Sequence, residues 1–282
     1  MATMIIINGL VLSLTYFLVA SGLTIVFSIM GIINFAHGSV IMLGGMVAYY
    51  CFTFLGINFY VSLLLAMAAT AAFSLLLNRL VFDYFKKFPL SGCIAAVGIA
   101  MMIQQGTLVG LGGEDKVFVR ALPQGVVNLF GIAIAQDRLL VVLVSLAIMG
   151  GLLAFLNFTR MGLITRATAQ EPIASQLCGI NIGQVSAVSM ALGGALAGAA
   201  GGLLGALYTV SPYWGESLIL KAFVVIILGG LGSVLGAITG SFVLGFVESV
   251  GITLSGYITF VISFMIIVIL LLLKPQGLVG HE

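Results

Sequence analysis

The chain has 282 residues, of which 62% are hydrophobic and only 6% are charged, and its formal net charge is +2. Because an ordinary soluble domain carries about 25% charged residues, this composition excludes a soluble fold, and the small net charge gives no basis for a nucleic-acid partner. A helix that crosses the lipid bilayer needs about 20 mostly apolar residues, and this chain has enough of them for many such helices.

Apolar segments of membrane-spanning character follow one another along the whole chain. They lie at about residues 5–29, 40–55, 59–80, 92–111, 139–158, 185–207, 218–231, 234–250 and 258–273. Because spanning helices satisfy their own backbone hydrogen bonds, the segments predict an all-α polytopic membrane protein. The expected number is roughly 8–10 transmembrane or re-entrant helices, since residues 207–231 suit either a span or a re-entrant or broken helix.

The loops between the spans differ in positive charge, and this difference predicts the orientation. One set of loops carries six lysines and arginines and the other carries four, and the richer set stays in the cytoplasm. The richer set comprises Arg79, Lys86, Lys87, Arg160, Arg166 and Lys274, and the other comprises Lys116, Arg120, Arg138 and Lys221. We therefore expect a single transmembrane domain over residues 1–282, with the N-terminus outside, the C-terminus and residues 160–184 in the cytoplasm, and a long external loop over residues 112–138.

Glycine is abundant, with 37 residues, and some of it is regularly spaced. Two sets of three glycines recur every four residues, which places each set along one face of a helix. Missing side chains let neighbouring membrane helices approach closely, so we expect tight helix packing at both faces. Hinging at the same faces during a transport cycle is the alternative, which the spacing alone does not test. The two sets are Gly194, Gly198 and Gly202, and Gly232, Gly236 and Gly240.

A few polar residues interrupt the apolar segments, and each is costly in hydrocarbon unless it has a partner or a function. We take them as candidates for the lining of a translocation path. For His37 a structural hydrogen bond explains the residue better than a proton relay, whereas for Glu248 a helix–helix bond and a pathway role explain it equally well. The candidates are Asn34, His37, Gln104, Gln105 and Glu248.

The sequence lacks the residue patterns of an enzyme. No nucleophile is paired with a base at a motif spacing, no glycine-rich phosphate loop is followed by Lys and Ser or Thr, and two histidines cannot form a metalloprotease site. Cys51, Cys93 and Cys178 are scattered, without metal-ligand or disulfide spacing. We therefore expect no catalytic site and no metal site, and a membrane enzyme is the least favoured class.

A secondary transporter or channel is the main alternative class. In that case His37, Glu248 and Lys221 would bind ions or protons, since ionisable residues inside a membrane often mark such pathways. These residues are far apart in sequence, and no acidic cluster accompanies them. Uptake that depends on ATP and survives an uncoupler would separate the two classes.

A polar segment, RATAQEPIASQLCGIN at residues 166–181, interrupts the apolar chain. Pro172 suits the first turn of a helix, and Ile173 and Leu177 share one helix face at a spacing of i, i+4. Gly179 suits the left-handed residue that ends a helix. The segment therefore predicts a cytosolic helix of roughly two turns, about 10 Å long, which presents an apolar face to a partner.

The motifs of this chain resemble those of the permease family of ABC importers for branched-chain amino acids. Besides residues 166–181, the resemblance rests on GIINFAHG at 31–38, KAF at 221–223 with LGGLGS at 228–233, and KPQGL at 274–278. These motifs fall in the family's order and cover nearly the whole chain. The short length and the immediate first span resemble the smaller permease of such systems, the LivH type.

The resemblance implies a fold of the LivH/LivM and ribose-permease type and a particular set of partners. The chain would pair with a second, LivM-like permease, two cytosolic ATPases of the LivG and LivF type and a periplasmic binding protein, in the bacterial inner membrane. The ATPases would hold ATP and Mg, and this chain would hold no cofactor. ATP binding would drive alternating access and import branched-chain amino acids or a similar small polar solute. Similar permeases carry urea, short amides or organic acids.

The resemblance also assigns the polar segment to ATPase coupling. In the family the corresponding region docks in an ATPase, with Glu171 here at its acidic position and Gly179 at its glycine position. Pro172 departs from the family, which often has a charged residue there, so the local contacts are expected to differ. The coupling residues are Arg166, Glu171, Pro172, Ile173, Ala174, Leu177 and Gly179.

Overall fold

The computed structural model describes residues 2–85, 88–129 and 132–254, together with Met265, Val268, Ile269, Leu272, Lys274, Gly277 and Leu278. These residues are mostly helical, and six of their helices are long and apolar enough to cross a membrane. The prediction of an all-α polytopic membrane protein is therefore confirmed. Apart from four single residues, the predicted span at 258–273 lies outside the described residues, and so do Lys86 and Lys87.

Among the described residues, the first half of the chain contains five helices. They are α1 (Ala2–Met30), α2 (Ala36–Thr53), α3 (Phe59–Leu77), α4 (Asp83–Phe85) and α5 (Pro89–Leu111). A π-helical turn joins α3 to the short α4. The side-chain oxygen of Asn58 caps α3 by accepting a hydrogen bond of 3.0 Å from the Tyr60 amide. Pro89 begins α5, where its missing N–H costs nothing.

An antiparallel pair of strands, β1 (Val126–Leu129) and β2 (Ile132–Ala135), precedes the remaining helices. The helices are α6 (Gln136–Phe158), α7 (Arg160–Gln170), α8 (Pro172–Leu177), α9 (Ile182–Leu207), α10 (Trp214–Gly229) and α11 (Val234–Leu254). The predicted external loop at 112–138 therefore contains two paired strands. A second difference from the prediction is α7, a helix in the part of the chain between α6 and the predicted short helix, where no helix was expected.

α1 is the central helix of the bundle. In its most apolar stretch 89% of the residues are buried, against 22% in α5. α1 packs along α6, α9, α10 and α11. It is tied to α11 by the Ser249 hydroxyl, which donates a hydrogen bond of 2.7 Å to the Ile5 carbonyl. The outer face of α5 is left for lipid or for another chain.

Glycines let α9 approach α2 and α3. A Cβ atom placed on Gly202 would lie 2.6 Å from Leu63 of α3, and one placed on Gly44 of α2 would lie 2.5 Å from the Cα atom of Gly198. Gly194 also faces α3, where neighbouring atoms fill the space of a side chain. α9 can therefore lie between α2 and α3 only because these positions carry no side chain.

The second glycine set differs from the prediction at one position. Gly236 and Gly240 lie on α11 against α10, where backbone atoms of Gly229 and Val225 occupy the space of a side chain. Gly232 instead lies in the turn between α10 and α11, at a φ of +84°. Glycine adopts this left-handed conformation without a steric penalty. The regular spacing thus combines a turn residue with two residues of a helix face.

Two helices begin near the middle of the bundle instead of at its ends. Nε2 of His37, in the first turn of α2, lies 3.1 Å from the carbonyl oxygen of Val19, near the middle of α1. The first turn of α10 meets that of α2, since a Cβ atom on Gly215 would lie 2.7 Å from the carbonyl oxygen of Gly38. The chain therefore returns into the bundle before each of these two helices.

The two ends of the bundle carry different loops, and we name them the hairpin end and the α8 end. At the hairpin end, Lys116 and Val210 exchange backbone hydrogen bonds of 2.8 and 3.0 Å, which hold the loop after α5 against the segment before α10. Phe118 of this loop stacks on Phe52 of α2. The α8 end carries α7, α8 and the turn between α10 and α11. α2 runs from mid-depth to the hairpin end, and α10 runs to the α8 end.

Candidate functional site

A cleft of about 240 Å³ lies at mid-depth where α2, α5 and α10 meet. Phe35 and Ser39 line it from the start of α2, and Gly215 and Glu216 line it from the start of α10. The middle of α5 contributes Val97, Ala100, Met101 and Gln104. Both helices that begin at mid-depth therefore begin at this cleft, beside the sparsely covered helix α5.

Gln104 and Glu216 give the cleft its polar character. Gln104 is only 9% exposed, and its side chain makes no hydrogen bond to any residue that the structure describes. Glu216 is exposed within this chain, and a carboxylate that faces lipid at mid-depth is costly. Ser39, by contrast, donates a hydrogen bond of 3.2 Å to the Ala100 carbonyl. Gln104 and Glu216 are therefore the two groups suited to meet a solute, water or a second chain.

Four of the five predicted path residues lie apart from this cleft; Glu248 is described with its partners below, and the other three are as follows. The side chain of Asn34 accepts a hydrogen bond of 3.1 Å from the Ala36 amide and so helps to start α2. His37 is buried, and its contact with the Val19 carbonyl joins α2 to α1. Gln105 is exposed on α5 and does not line the cleft. A path role for these three residues stays a prediction.

Ser39 and Glu216 line the cleft although neither was among the path residues expected from the sequence. Glu216 had a signal, because it is a charged residue within residues 207–231, where the sequence allows a re-entrant or broken helix. Ser39 had none, since serines are common throughout the apolar segments. The sequence could not show that Ser39 and Glu216 lie close to Gln104, because this proximity depends on the packing of α5 beside the starts of α2 and α10.

Three polar side chains, which we name the Tyr16–Lys221–Glu248 triad, join α1, α10 and α11. Nζ of Lys221 lies 2.6 Å from Oε1 of Glu248 and donates a hydrogen bond of 2.8 Å to the Tyr16 hydroxyl. The Tyr16 hydroxyl donates a hydrogen bond of 2.7 Å to Oε2 of Glu248. Each charge therefore has an opposite charge and a hydrogen-bonding neighbour, which offsets the cost of removing it from water.

The triad bears on two expectations from the sequence. Lys221 lies inside α10, so only three lysines and arginines remain in the less positive set of loops, against six in the other. Glu248, a candidate path residue, forms a bond between helices, which is one of the two roles considered for it. Because Lys221 and Glu248 neutralise each other, neither can bind a transported ion unless their pair is broken. Among the described residues, no group of three or more His, Cys, Asp or Glu side chains is placed to hold a metal ion.

The short helix α8 projects from its end of the bundle with its apolar side chains uncovered. It begins at Pro172, as the sequence predicts, and Gly179 follows it at a φ of +82°. Ile173 and Leu177 are 74% and 85% exposed, and Ala174 beside them is also exposed. Large apolar side chains grouped on an exposed helix are typical of a surface that a partner covers.

Backbone hydrogen bonds hold α8 to the segments on either side: the Glu171 amide donates one of 3.0 Å to the Ala167 carbonyl of α7, and the Ile180 amide donates one of 3.1 Å to the Ser175 carbonyl of α8. The helices before and after α8 also have capped starts. The Thr159 hydroxyl accepts a hydrogen bond of 2.9 Å from the Gly162 amide and caps α7. The side chain of Asn181 accepts one of 2.9 Å from the Gly183 amide and caps α9. α9 begins directly after the turn that ends α8, with only residues 178–181 between the two helices.

Arg166 and Glu171 stand apart from the apolar side chains of α8. Arg166 lies on α7 and lines a second cleft, of about 440 Å³, together with Ser28, Asn157 and Ser233. Glu171 lies between α7 and α8 and is exposed. The predicted coupling residues therefore divide into an apolar group on α8 and two charged residues before it.

Six helices able to cross a membrane, together with two helices that begin at a mid-depth cleft carrying a few polar groups, are the architecture of a multi-pass membrane protein and are typical of transport proteins. A family model described as branched-chain amino acid transport system / permease component matches residues 5–273. The chain belongs to this family, and the resemblance found in its motifs is confirmed. It is therefore a permease subunit of a transport system.

Relatives in bacteria and in an archaeon match the chain over almost its whole length. It is 32% identical to the high-affinity branched-chain amino acid transport system permease protein BraD of Pseudomonas aeruginosa, over 98% of this chain and 95% of that protein. It is 32% identical to the high-affinity permease protein LivH of Escherichia coli K12, over 97% and 94% of the two chains. The probable permease protein LivH of Methanocaldococcus jannaschii is 30% identical, over 99% and 93%. No solved structure matches the chain.

Proposed function

We propose that this chain is the membrane permease of an ATP-driven importer for branched-chain amino acids. Its family and the names of its relatives, which are branched-chain amino acid transport permeases, support this substrate. The sequence carries no ATP-binding motif, so ATP and Mg belong to other subunits and this chain performs no catalysis. The partners are two cytosolic ATPases, a second permease and a periplasmic binding protein.

The exposed apolar pair on α8 is the observation that carries the ATPase partnership. Ile173 and Leu177 lie on one face of a helix outside the bundle, where water surrounds them unless a partner covers them. We expect the α8 end in the cytoplasm, where ATP is available, because its loops carry more lysines and arginines than those of the other end. The hairpin end and the N-terminus then lie on the periplasmic side of the inner membrane, where a binding protein delivers the substrate.

A chain of contacts between α8 and the cleft supports a route for the motion. The Asn181 cap ties the turn after α8 to α9, α9 packs on α2 at Gly198 and Gly44, and α2 begins at the cleft. Closely packed helices transmit a displacement that a loose loop would absorb. ATP binding in the partners supplies the difference in contacts between the two states that alternating access requires.

The coupling role of α8 is tested by leucine uptake into proteoliposomes that contain the complete complex. Ile173→Asp places a charge in the apolar pair, and Gly179→Pro removes the residue that ends α8. We expect each substitution to lower ATP-dependent uptake about tenfold or more, because an unpaired charge or a displaced helix weakens the docked state. Membrane insertion is expected to be unchanged. Val119→Asp is the matched control, since Val119 is 71% exposed at the hairpin end, against 74% for Ile173.

Three results would change the proposal in different ways. Wild-type uptake by the Ile173→Asp complex would show that α8 does not couple transport to the ATPases. Wild-type uptake that needs no ATP and collapses with an uncoupler would indicate a secondary transporter. Uptake of urea, short amides or organic acids in place of leucine would keep the ATP-driven mechanism and replace the substrate.

A further inference from the structure

The starts of α2 and α10 meet at the same mid-depth cleft, and residues of both first turns line it. The first amides of a helix have no intrahelical acceptor, and neither Phe35 nor Tyr213, the residues at the two N-caps, provides a side-chain cap. Asn34 accepts hydrogen bonds from the amides of Ala36 and His37 only. The later first-turn amides and the helix dipoles give this part of the cleft a partial positive charge.

Gln104 is a second and independent indication of a ligand. It lines the cleft from α5, is only 9% exposed, and has no hydrogen-bond partner among the described residues. Its amide atoms are not among the fully buried polar atoms that lack a partner, so they keep access to the outside of the chain, and a side chain this buried with no hydrogen bond of its own is unusual in a folded protein. Its NH₂ group can donate two hydrogen bonds, so it suits an anionic oxygen that is also held by the helix ends.

A negative charge and an apolar wall complete the cleft. Glu216 lies in the first turn of α10, lines the cleft and forms no ion pair with a described residue. The apolar wall comprises Val97, Met101, Ile219 and Leu220. A solute with an anionic group, a cationic group and an aliphatic group close together matches these three surfaces. An aliphatic α-amino acid has this combination of groups.

The size of the cleft agrees with such a solute. Its volume is about 240 Å³, whereas pockets for drug-sized ligands measure about 300–1,000 Å³. A single amino acid is therefore a better match than a larger ligand such as a peptide.

We propose that this cleft binds the transported amino acid as a zwitterion during its passage through the membrane. The α-carboxylate meets the first-turn amides of α2 and α10 and the amide of Gln104. The α-ammonium group meets Glu216, and the aliphatic side chain packs on the wall that includes Met101 and Ile219. This inference rests on the proposed function, and it adds a selective step inside the permease. The binding is weak, since a transported solute must also leave its site.

The test measures protection of a cysteine placed in the cleft, in the complete complex in lipid nanodiscs without the binding protein. In the reporter, serines replace Cys51, Cys93 and Cys178, and Val97→Cys provides the label site. We expect millimolar leucine to slow maleimide labelling of the reporter. We expect 4-methylpentanoate, which lacks the ammonium group, and 3-methylbutylamine, which lacks the carboxylate, to protect at concentrations about tenfold higher or more, because each loses one charge-assisted contact.

Two substitutions separate the two ends of the zwitterion. Glu216→Gln is expected to raise the half-protective concentration of leucine about tenfold and to leave that of 4-methylpentanoate unchanged. Gln104→Leu is expected to raise the value for leucine and to leave that of 3-methylbutylamine unchanged. Glu114→Gln, at an exposed glutamate of the hairpin end, is the control and should change none of them. A general loss of structure would instead affect all ligands alike.

The outcomes distinguish this inference from the proposed function. If the complex takes up leucine with ATP and the binding protein, but leucine gives no protection or protects the Glu216→Gln reporter equally well, the inference is wrong and the proposed function stands. If the wild-type complex takes up no branched-chain amino acid, the proposed function is wrong. In that case the labelling assay still tests the cleft, because protection by leucine is measured without transport and reports binding of the zwitterion directly.

Discussion

At the scale of residues, the Tyr16–Lys221–Glu248 triad fixes the point where α1, α10 and α11 meet. The side chains of Lys221 and Glu248 are 23% and 12% exposed, respectively, and Nζ of Lys221 lies 5.0 Å from the centroid of the Tyr16 ring. A charge in such surroundings is costly without its partner. The triad therefore favours one placement of α10 against α1, and that placement positions the start of α10 at the cleft.

Glu248→Ala is expected to lower the free energy of unfolding by about 3 kcal/mol. This value is at the lower end of the cost of removing one partner from a buried ion pair, because the pair of Lys221 and Glu248 is partly exposed. The double substitution Lys221→Met with Glu248→Met removes both charges and should cost less than Glu248→Ala alone. Denaturant unfolding of the purified chain in mixed micelles measures both values. A double variant less stable than the single one would show that the ion pair itself stabilises the fold.

At the scale of elements, glycine has two different roles in this protein. On α2 and α9 it permits contact, since Cβ atoms at Gly44 and Gly201 would meet the neighbouring helix backbone. Beyond the first turn of α5 it has no such role within this chain, because Cβ atoms at Gly98, Gly106 and Gly110 would have no described neighbour within 4 Å. Glycines of the first group therefore allow α2 to contact α9 closely, whereas those of the second group lie on a face of α5 that no described residue covers.

Gly44→Ala and Gly106→Ala make a matched pair that tests this difference. Gly44→Ala should destabilise the chain by about 1–3 kcal/mol, as expected for overpacking of a close contact. Gly106→Ala should be neutral or slightly stabilising, since alanine is the better helix former. Thermal unfolding of the two purified variants in the same detergent compares them. Equal loss of stability in both would contradict the assigned roles.

At the scale of the whole molecule, the two ends of the bundle differ in construction and charge. The hairpin end holds the strands and the bridge between Lys116 and Val210. The α8 end holds the short helix and also receives Leu278, whose amide donates a hydrogen bond of 2.8 Å to the Leu228 carbonyl. With Lys221 removed from the loop charges, the positive bias toward the α8 end is stronger than the sequence first indicated.

The native Cys178 tests the proposed orientation, because it is exposed next to α8. In a variant whose Cys51 and Cys93 are replaced by serine, a membrane-impermeant maleimide should label Cys178 in inverted vesicles and not in intact spheroplasts. Glu114→Cys, made with Cys178→Ser, should show the reverse pattern because Glu114 lies in the loop at the hairpin end. Labelling of Cys178 in intact spheroplasts would place α8 outside the cell and out of reach of cytosolic ATPases.

The sequence by itself determined the class of the protein, the approximate position of most helices and the short helix before α9. These features depend on local properties of the chain. A long apolar segment becomes a helix because hydrocarbon offers its backbone no other hydrogen-bond partner. Pro172 and Gly179 mark the limits of α8 through their own backbone geometry.

Only the tertiary structure decided that α2 and α10 begin at mid-depth, that Lys221 pairs with Glu248, and that Gln104 and Glu216 line one cleft. It also showed that Gly232 lies in a turn and not on the expected helix face. The apolar pattern could not show these arrangements, because both faces of nearly every span are apolar and the pattern does not say which neighbour a face meets. That choice depends on the packing of side chains and glycines from helices distant in sequence.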